Sequence, residues 1–597
     1  MVDNPLIYLF SKTWSYSEGN RINIVLYWLM FIVACAVDLF CQPFLVAKIM
    51  NTVQANGITS ANFRFLLGLL LLTLVVDVVF WSFHGPARCI ERYNAFKVRL
   101  NYRKFLLKGV MNLPLEWHNE HHSGDIIDKV SKGTDALFKF SGNSYELIYS
   151  MVRLIVSYSI LIYFSLPSAF IILGMFVLSC WIIMKFDKVI IKQHIEMNSF
   201  ENQISESIFD AISNISTVVI LRVERLIFGS IVHKTEKPFD LFKYNQRLNE
   251  FKWFSTNMCC TTMTILVIGV YFWQNIGTLQ GVLIGSFYLL FRYLENISQL
   301  FFRFTDLYGE ILQSKASMVN SEELSKDFKG ENFTNHVLPV DWKILKVESL
   351  SFSYHSGGEN LHLENVSFEA RRGEKIAVVG ERGSGKTTLL KIMRDLYHPQ
   401  KLKLSVDGVI VPQGFGGISQ AISLIPQSPE IFATTILQNI TMGAEYEMDF
   451  IRRFTDMACF TDVVESLPRK FESSIKEKGV NLSGGQQQCL ALSRGFLVSH
   501  NKDVVLLDEP TSSLDYSNGM KVYQNIFREF KGKTIVSSVH QVHLLPLFDR
   551  ICVFEKGRII ASGTMLELFS SSREFRYVWD LMQMTAQGEV CLDQGRG

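Results

Sequence analysis

The chain has 597 residues, 48% of them hydrophobic, and its 59 Lys and Arg residues nearly balance its 57 Asp and Glu residues, for a net charge of +2. This length exceeds one ordinary domain, and the hydrophobic fraction exceeds that of a typical soluble protein. Near-neutrality argues against a nucleic-acid partner, because such proteins carry a concentrated basic excess.

The apolar excess lies in the first half of the chain, in six stretches close to the ~20 residues that cross a bilayer. The predicted spans are residues 22–45, 65–83, 147–164, 167–184, 254–273 and 282–300. They are apolar around most of the helix rather than along one stripe. This pattern favours membrane spans over buried helices of a soluble domain.

The distribution of basic residues predicts the orientation. The segments between spans two and three and between spans four and five hold ten Lys and Arg residues each, whereas the connections 51–62, 165–167 and 274–281 hold none. By the positive-inside rule, both long segments, the N-terminus and the second half of the chain are cytoplasmic. The long segments are too regular for plain loops, which predicts helices that leave the membrane and return.

The first three predicted spans contain one charged residue each: Asp38, Asp77 and Arg153. Each would cost ~3 kcal/mol at a bilayer centre if it were unpaired. We therefore expect at least one of the two acids to pair with Arg153 across neighbouring spans. A structural ion pair is favoured over a role in substrate passage, and both interpretations stay open.

A histidine cluster, His118, His121 and His122, has a spacing at which imidazoles could share one metal ion. It lies on a polar turn without a carboxylate or cysteine set that completes a coordination shell, so an ordinary polar turn is the favoured interpretation. The ten cysteines show no C-x-x-C spacing. Free thiols in a reducing compartment explain them.

A phosphate-binding loop of the form G-x-x-x-x-G-K-[ST] occupies residues 380–387, between a predicted buried strand at 376–379 and a predicted helix at 388–393. Backbone N–H groups can wrap phosphates here, Lys386 can reach the β- and γ-phosphates, and the Thr387 hydroxyl suits Mg²⁺. The predicted nucleotide-contacting residues of this loop are Gly380, Glu381, Arg382, Gly383, Ser384, Gly385, Lys386, Thr387 and Thr388.

Two further motifs follow in order: Leu-Ser-Gly-Gly-Gln at residues 482–486, and an apolar run at 504–507 that ends in Asp508 and Glu509. With the phosphate loop, they make the sequence resemble the ATP-binding cassette family, whose hallmark is the pentapeptide. The resemblance implies that Asp508 holds Mg²⁺ through water and that Glu509 polarises the attacking water. This pair of roles suits in-line attack on a γ-phosphate, which needs charge neutralisation and an aligned nucleophile.

The resemblance also implies roles for three isolated residues. Tyr354 would stack on adenine, Gln427 would sense Mg²⁺ and the membrane domain, and His540 would contact the γ-phosphate. The expected catalytic residues are thus Glu509 and His540, and the expected Mg²⁺ residues are Thr387, Gln427 and Asp508.

In this family the pentapeptide acts in trans on the ATP site of a second cassette. Ser483, Gly484, Gly485 and Gln486 would then complete a site whose phosphate loop belongs to the partner. The chain supplies both halves intact, so the expected partner is a second copy of itself. A heterodimer stays open.

Six spans followed by one cassette resemble the half-transporter exporters, which include bacterial lipid and multidrug exporters. This resemblance implies an all-α, six-helix, exporter-type transmembrane domain at 1–320, a linker at 321–343, and an α/β P-loop ATPase domain with a helical signature subdomain at 344–597. It also implies an interfacial elbow helix at 4–11 and coupling helices at 115–119 and 213–218. The first coupling helix would seat Trp117 in a groove near Gln427.

The predicted function is ATP-driven export of an amphipathic or hydrophobic compound, such as a lipid or drug, by alternating access in a bacterial inner membrane. Alternatives are an importer built on the exporter fold, as in metal-chelate uptake, and a peptide exporter. A non-transporting ATPase or gated channel is disfavoured because Gln427, Glu509 and His540 are all present. The sequence does not identify the substrate.

Overall fold

The computed structural model describes residues 4–121, 123–276, 283–328, 338–354, 361–427, 430–475 and 482–587. Contacts divide the chain into two compact units. The first contains Met1–Leu113 and His121–Phe328, and the second contains Pro114–Glu120 and Lys329–Gly597. His122 of the histidine cluster lies outside the described residues, as do 329–337 of the predicted linker.

The first unit is helical. Its helices in chain order are α1 (Pro5–Tyr16), α2 (Arg21–Ala36), a π-helical turn (Val37–Cys41), α3 (Gln42–Asn56), α4 (Phe63–Met111), α6 (Ser123–Ser141), α7 (Ser144–Phe164), α8 (Leu166–Ser213), α9 (Ile215–Ile220), α10 (Glu224–Glu236), α11 (Phe239–Gln274) and α12 (Ile284–Ser325). The short helix α5 (Leu115–Glu120), between α4 and α6 in the chain, belongs to the second unit.

Four of these helices are much longer than a bilayer requires. The 49 residues of α4 and the 48 residues of α8 extend over about 70 Å each, at 1.5 Å per residue, whereas the hydrocarbon core is about 30 Å thick. The expected continuous helices through these segments are confirmed, and the point at which they leave the membrane stays a prediction. The predicted elbow and coupling helices coincide with α1, α5 and α9.

Five helical segments among the described residues are long and apolar enough to cross a membrane: Arg21–Asn56, Phe63–Met111, Ser123–Phe164, Leu166–Ile190 and Glu224–Gln274. The sixth predicted span begins at 282, outside the described residues, and otherwise coincides with α12. This helix is not among the five, and Arg292 and Glu295 lie between the apolar residues of its predicted span. It also continues to Ser325, five residues into the stretch predicted as linker.

The charged residues of the spans are connected differently from the prediction. Arg153 donates from Nη2 to the Tyr149 hydroxyl (2.7 Å), which in turn donates to Asp38 Oδ2 (3.4 Å). Asp77 accepts a hydrogen bond from Gln42 (2.7 Å). The expected pairing of Arg153 with an acid is made only indirectly, because the phenol of Tyr149 stands between the guanidinium and the Asp38 carboxylate.

The second unit contains two sheets. A four-stranded antiparallel sheet has the order β2-β1-β4-β5, and a six-stranded sheet has the order β10-β9-β3-β8-β7-β6, parallel except for β10. The strands are β1 (Ile344–Phe352), β2 (Leu363–Arg371), β3 (Lys375–Gly380), β4 (Lys401–Val406), β5 (Val409–Ile410), β6 (Ile422–Ile425), β7 (Val504–Asp508), β8 (Thr534–Ser538), β9 (Arg550–Glu555) and β10 (Arg558–Gly563).

Helices cover the six-stranded sheet, as expected of a parallel sheet whose central strands are buried on both faces. The helices of this unit after the first strands are α13 (Lys386–Met393), α14 (Ile436–Thr441), α15 (Met448–Met457), α16 (Thr461–Ser466), α17 (Gly484–Ser499), α18 (Tyr516–Glu529), α19 (Met565–Ser571) and α20 (Arg573–Gln587). Of these, α14 and α15 pack on α17. All residues of β7 and β8 are buried. The parallel strands end at one edge, which gathers the phosphate loop and residues 508–509 there.

An ion pair buried between α8 and α11 gives a test of packing in the first unit, hereafter the membrane half; the second unit is the ATP-binding half. Lys252 Nζ lies 3.0 Å from Asp187 Oδ1, with the two side chains 7% and 5% exposed. Lys252→Met should destabilise this half by about 3 to 5 kcal/mol, because it leaves a buried carboxylate without its cation. The double variant Asp187→Leu/Lys252→Met should recover most of that loss, as measured by thermal unfolding in detergent. A double variant as unstable as the single one would contradict this account.

Candidate functional site

The phosphate loop connects β3 to α13 through a backbone that only glycine fits at two positions. Gly380 has φ +154° and Gly385 has φ +107°. A Cβ atom at Gly380 would lie 2.2 Å from the Phe554 carbonyl oxygen, and one at Gly385 would lie 2.8 Å from Leu363 Cδ2. The loop is therefore held closely against β9 and the start of β2, with its N–H groups at the N-terminus of α13.

Lys386 is the first residue of α13 and is only 5% exposed. Its ammonium group donates to the carbonyl oxygens of Gly380 and Glu381, both at 2.9 Å. Burial lowers its pKa, and the nearby carboxylates of Glu509 and Asp508 oppose that effect. The ammonium group is thus held inside the loop, where it can face a phosphate.

The hydroxyl of Ser384 is buried within the same loop and has no hydrogen-bond partner among the described residues. A buried hydroxyl is normally paired, so this unused group indicates a cradle shaped for a ligand with acceptor oxygens. The residue set fits the triphosphate that the motif predicts.

A second cluster joins the start of α13 to the end of β7. Thr387 Oγ1 donates to Asp508 Oδ1 at 3.1 Å, and Ser538 Oγ donates to the same oxygen at 2.8 Å. A hydroxyl and a carboxylate are the hard oxygen donors that Mg²⁺ prefers, so the residues present fit this ion. Ser538 was missed from the sequence, because nothing in a buried strand singles out one hydroxyl.

Glu509 sits just past β7 with φ +47°, a left-handed conformation that is uncommon for a residue with a side chain. Its backbone N–H donates to Ser538 Oγ at 2.9 Å. Its carboxylate lies between two predicted site residues, with Oε1 2.6 Å from His540 Nε2 and Oε2 2.6 Å from Gln427 Nε2. Strained backbone of this kind concentrates at functional sites.

The charge state of Glu509 follows from its neighbours. Burial by itself would raise the pKa of this carboxyl, but His540, Lys386 and Arg382 together hold the pKa below its usual value. Glu509 is therefore ionised at neutral pH and available as a proton acceptor. Arg382, a residue predicted only from its place in the loop, takes part through this electrostatic effect.

Tyr354 lies beside the phosphate loop, with its hydroxyl 3.2 Å from Thr388 Oγ1. Its ring contacts His362 and Tyr397 edge to face, at centroid distances of 4.9 and 5.1 Å. The residue is 41% exposed, which leaves ring surface on which a planar base can stack.

The pentapeptide begins α17. Ser483 caps the helix by accepting the Gln486 N–H (3.3 Å), while the Gln486 side chain accepts the Ser483 N–H (3.0 Å). Gly484 is the first helical residue, and a Cβ at Gly485 would lie 3.0 Å from the Ser513 carbonyl oxygen. The structure thus places these residues against the segment that follows Glu509.

Gln488, one turn into α17, was not singled out from the sequence. Its amide accepts the Ser513 N–H (2.8 Å) and donates towards the Glu509 carbonyl (3.4 Å). It therefore connects the pentapeptide helix to the backbone of the carboxylate that His540 and Gln427 hold. Gln488 is only 3% exposed, and a polar side chain in an otherwise apolar helix face was the signal that could have identified it.

Helix α5, predicted as a coupling helix, packs within the second unit beside Tyr397. Asn119 Nδ2 donates to the Tyr397 hydroxyl at 3.1 Å, and Leu115 packs on the hydrophobic core that includes Tyr397 and Leu390. Trp117 is buried. The expected proximity of Trp117 to Gln427 stays a prediction.

The histidine cluster gains no support as a metal site from the described residues, among which no group of three or more His, Cys, Asp or Glu side chains could hold a metal ion. His118 and His121 are described and His122 is not.

Together, a helical membrane half and a P-loop half with a complete set of nucleotide motifs define an ATP-binding membrane transporter. Family models agree: "ABC transporter transmembrane region" matches residues 24–297, and "ABC transporter" matches residues 363–512. The chain belongs to the ABC transporter family, as a membrane region and an ATP-binding domain fused in one polypeptide.

Individual proteins support the same assignment. The chain is 26% identical over 533 residues to the glutathione/L-cysteine transport system ATP-binding/permease protein CydD of Bacillus subtilis, covering 86% of this chain and 90% of that protein. It is 26% identical to ATP-binding cassette sub-family B member 6 of Mesocricetus auratus over 80% of this chain, and spans 57% of that longer protein.

A solved structure of a bacterial Atm1-family ABC exporter with ATP bound aligns with a TM-score of 0.80, at 19% identity, over 97% of this chain and all of that one. The exporter-type fold inferred from the sequence is thereby confirmed.

The position of Glu509 generates the first prediction about chemistry. Glu509→Gln keeps a side chain of the same shape between His540 and Gln427 but cannot accept a proton. We expect ATP binding to persist while hydrolysis falls at least about a hundredfold, the range that general-base groups contribute. Steady-state phosphate release and nucleotide binding measure the two effects, with Glu555→Gln, an exposed change on β9, as the matched control. Near-normal turnover would mean that another group orients the water.

Proposed function

We propose that this protein is an ATP-driven exporter of an amphipathic compound and that it works as a homodimer. The observation that carries the proposal is the Glu509 carboxylate, fixed at 2.6 Å from both His540 and Gln427. A chain that only bound ATP, or a gated channel, would not need a proton acceptor held in this way. The exporter-type fold supports transport as the use of that hydrolysis.

The residues divide the hydrolytic work. Backbone N–H groups of 380–387 and the Lys386 ammonium hold the β- and γ-phosphates, and Tyr354 stacks on adenine. Thr387, Gln427 and Asp508 would hold Mg²⁺, which would supply charge neutralisation at the phosphates. Glu509 orients the attacking water and accepts its proton, and His540 contacts the γ-phosphate and keeps Glu509 in place. Little else is required, because phosphoryl transfer depends on alignment and charge stabilisation.

Ser483, Gly484, Gly485 and Gln486 complete the ATP site of a second copy in this proposal. This role is supported by the N-terminus of α17 at Gly484, where backbone N–H groups suit a γ-phosphate. One chain carries an intact phosphate loop and an intact pentapeptide, so two copies make two competent sites. A heterodimer with a related half-transporter is the alternative.

The orientation rests on the basic residues of the two long segments, which favour a cytoplasmic ATP-binding half. A bacterial inner membrane is supported by the bacterial relatives. The chain's resemblance to a bacterial relative named for glutathione and L-cysteine transport is compatible with export of a small compound. Import through the same fold, and peptide export, remain the alternative functions.

The direction of transport decides between these functions. Inside-out vesicles containing the protein should accumulate at least one member of a panel of fluorescent amphiphiles (anionic, cationic and zwitterionic) when ATP is added outside. Lys386→Ala and Glu509→Gln should abolish the accumulation, because the first loses phosphate binding and the second loses hydrolysis. ATP-dependent depletion of preloaded vesicles would favour an importer instead, and hydrolysis without any movement would contradict the proposal.

Coupling between ATP and transport passes through α5 in this proposal. Trp117→Ala should reduce transport severalfold while basal hydrolysis stays within about twofold, since the site chemistry lies elsewhere. Trp117→Phe, which keeps an aromatic ring, should retain most transport. Both rates are measured on one proteoliposome preparation. An equal loss of hydrolysis and transport in a well-folded Trp117→Ala protein would indicate that Trp117 has a structural role.

A further inference from the structure

An open cavity of about 340 Å³ lies between α7 and α12 in the membrane half. This volume is at the lower end of the range for small-molecule sites. The two helices supply polar groups at one level and apolar groups beside them. The lining residues on which the argument depends are Glu146, Arg153, Leu300, Phe302, Arg303 and Asp306.

The charges of the cavity lining balance, because it contains two guanidinium groups and two carboxylates. Arg303 Nη2 lies 3.0 Å from Glu146 Oε2, and Arg153 Nη1 donates to Gln299 Oε1 at 2.8 Å. Arg153 lies inside a predicted span, and the other three ionisable residues lie just beyond span ends; ionisable residues within membrane spans generally mark a substrate path. Balanced charge favours a ligand that carries both signs over a simple anion or cation.

The protein uses only part of the donor capacity of the two arginines. The Nε atoms of Arg153 and Arg303 are buried and have no hydrogen-bond partner among the described residues. A guanidinium offers five N–H donors in a planar fork that matches a carboxylate. These two side chains can therefore take up carboxylate oxygens when they turn towards a ligand.

A polar stripe on α12 continues from the cavity along the membrane half. Arg292, Glu295, Gln299, Arg303 and Asp306 recur every three or four residues, the spacing of one helix face. Arg292 Nη1 donates to Glu295 Oε2 (2.9 Å).

Tyr149, which also lines the cavity, joins Arg153 to Asp38. Asp38 lies in the π-helical turn of the first span, and such turns frequently occur at functional sites. The cavity is thus one end of a continuous polar track.

We propose that this cavity binds a zwitterionic amino acid or short peptide with apolar side chains. Its carboxylate is held by Arg153 and Arg303, its ammonium group by Glu146 and Asp306, and its apolar part by Leu300 and Phe302. The inference rests on the proposed function and specifies the substrate class of that transporter. In the proposed orientation, the N-terminus of α7 and this part of α12 lie at the cytoplasmic side, where an exported compound enters.

The test measures binding without nucleotide, so it does not depend on hydrolysis or transport. The probe is radiolabelled leucyl-phenylalanine with the full-length protein in nanodiscs. Unlabelled N-acetyl-leucyl-phenylalanine, which lacks the ammonium group, and leucyl-phenylalanine amide, which lacks the carboxylate, compete against it. We expect saturable binding and at least a tenfold weaker competition by each of the two modified forms.

Variants assign the two charges to residues. Arg153→Gln and Arg303→Gln should each weaken dipeptide binding at least tenfold and remove the preference for a free carboxylate. Glu146→Gln should instead remove the preference for a free ammonium group. Lys185→Gln, which changes an exposed cation on α8, is the matched control, and thermal unfolding confirms that each variant is folded. The Glu146→Gln protein keeps the test decisive if an arginine variant does not fold.

Three results would overturn the proposal: no saturable dipeptide binding, equal competition by all three forms, or unchanged preferences in the variants. Loss of transport with intact, charge-selective binding would instead overturn only the proposed function.

Discussion

A hydrocarbon bilayer supplies no hydrogen-bond partners, and this constraint shapes the whole membrane half. Backbone groups there must be satisfied within helices, so each crossing is a helix. The triphosphate needs charged and polar partners in water, so the site that uses it lies in a separate α/β unit. Helices such as α4 and α8, longer than the bilayer requires, are the consequence of serving both environments with one chain.

The same constraint explains the arrangement of charge. Three sets of ionisable groups in the membrane half are connected: Lys252 with Asp187, Arg303 with Glu146, and Arg153 with Asp38 through the Tyr149 hydroxyl. In the ATP-binding half, by contrast, the carboxylates of Asp508 and Glu509 meet at one sheet edge beside Lys386, because the parallel strands end there. In the membrane half, opposite charges stabilise each other within the structure. In the ATP-binding half, they are arranged around the place where the phosphates of ATP would bind.

Much of this could be predicted from the sequence, for reasons that differ between the halves. Motifs such as 380–387 and 482–486 locate a site because their spacing is set by backbone geometry around phosphates. The helices of the spans follow from apolar length, although α12 shows the limit, since its charged stripe lowers its apolar character. Contacts made by ordinary side chains were not predictable. Ser538, Gln488 and Tyr397 hold Asp508, Glu509 and α5 respectively, and their positions depend on tertiary packing. The Tyr149 connection was missed for the same reason, because a tyrosine in a span usually indicates packing or an interfacial position.

Helix α12 fixes both the distance between two functional groups and the directions in which they point. It carries the cavity residue Arg303 and, about 28 Å further at 1.5 Å per residue, Glu322, which accepts a hydrogen bond from Tyr8 of α1 and pairs with Lys12. Along an α-helix, each residue rotates the side-chain direction about the helix axis by about 100°. A single-residue insertion between 303 and 322 would therefore change the length little but would point one of the two groups to the wrong side. Lineages of this transporter should tolerate substitutions in that stretch far more readily than changes in its length.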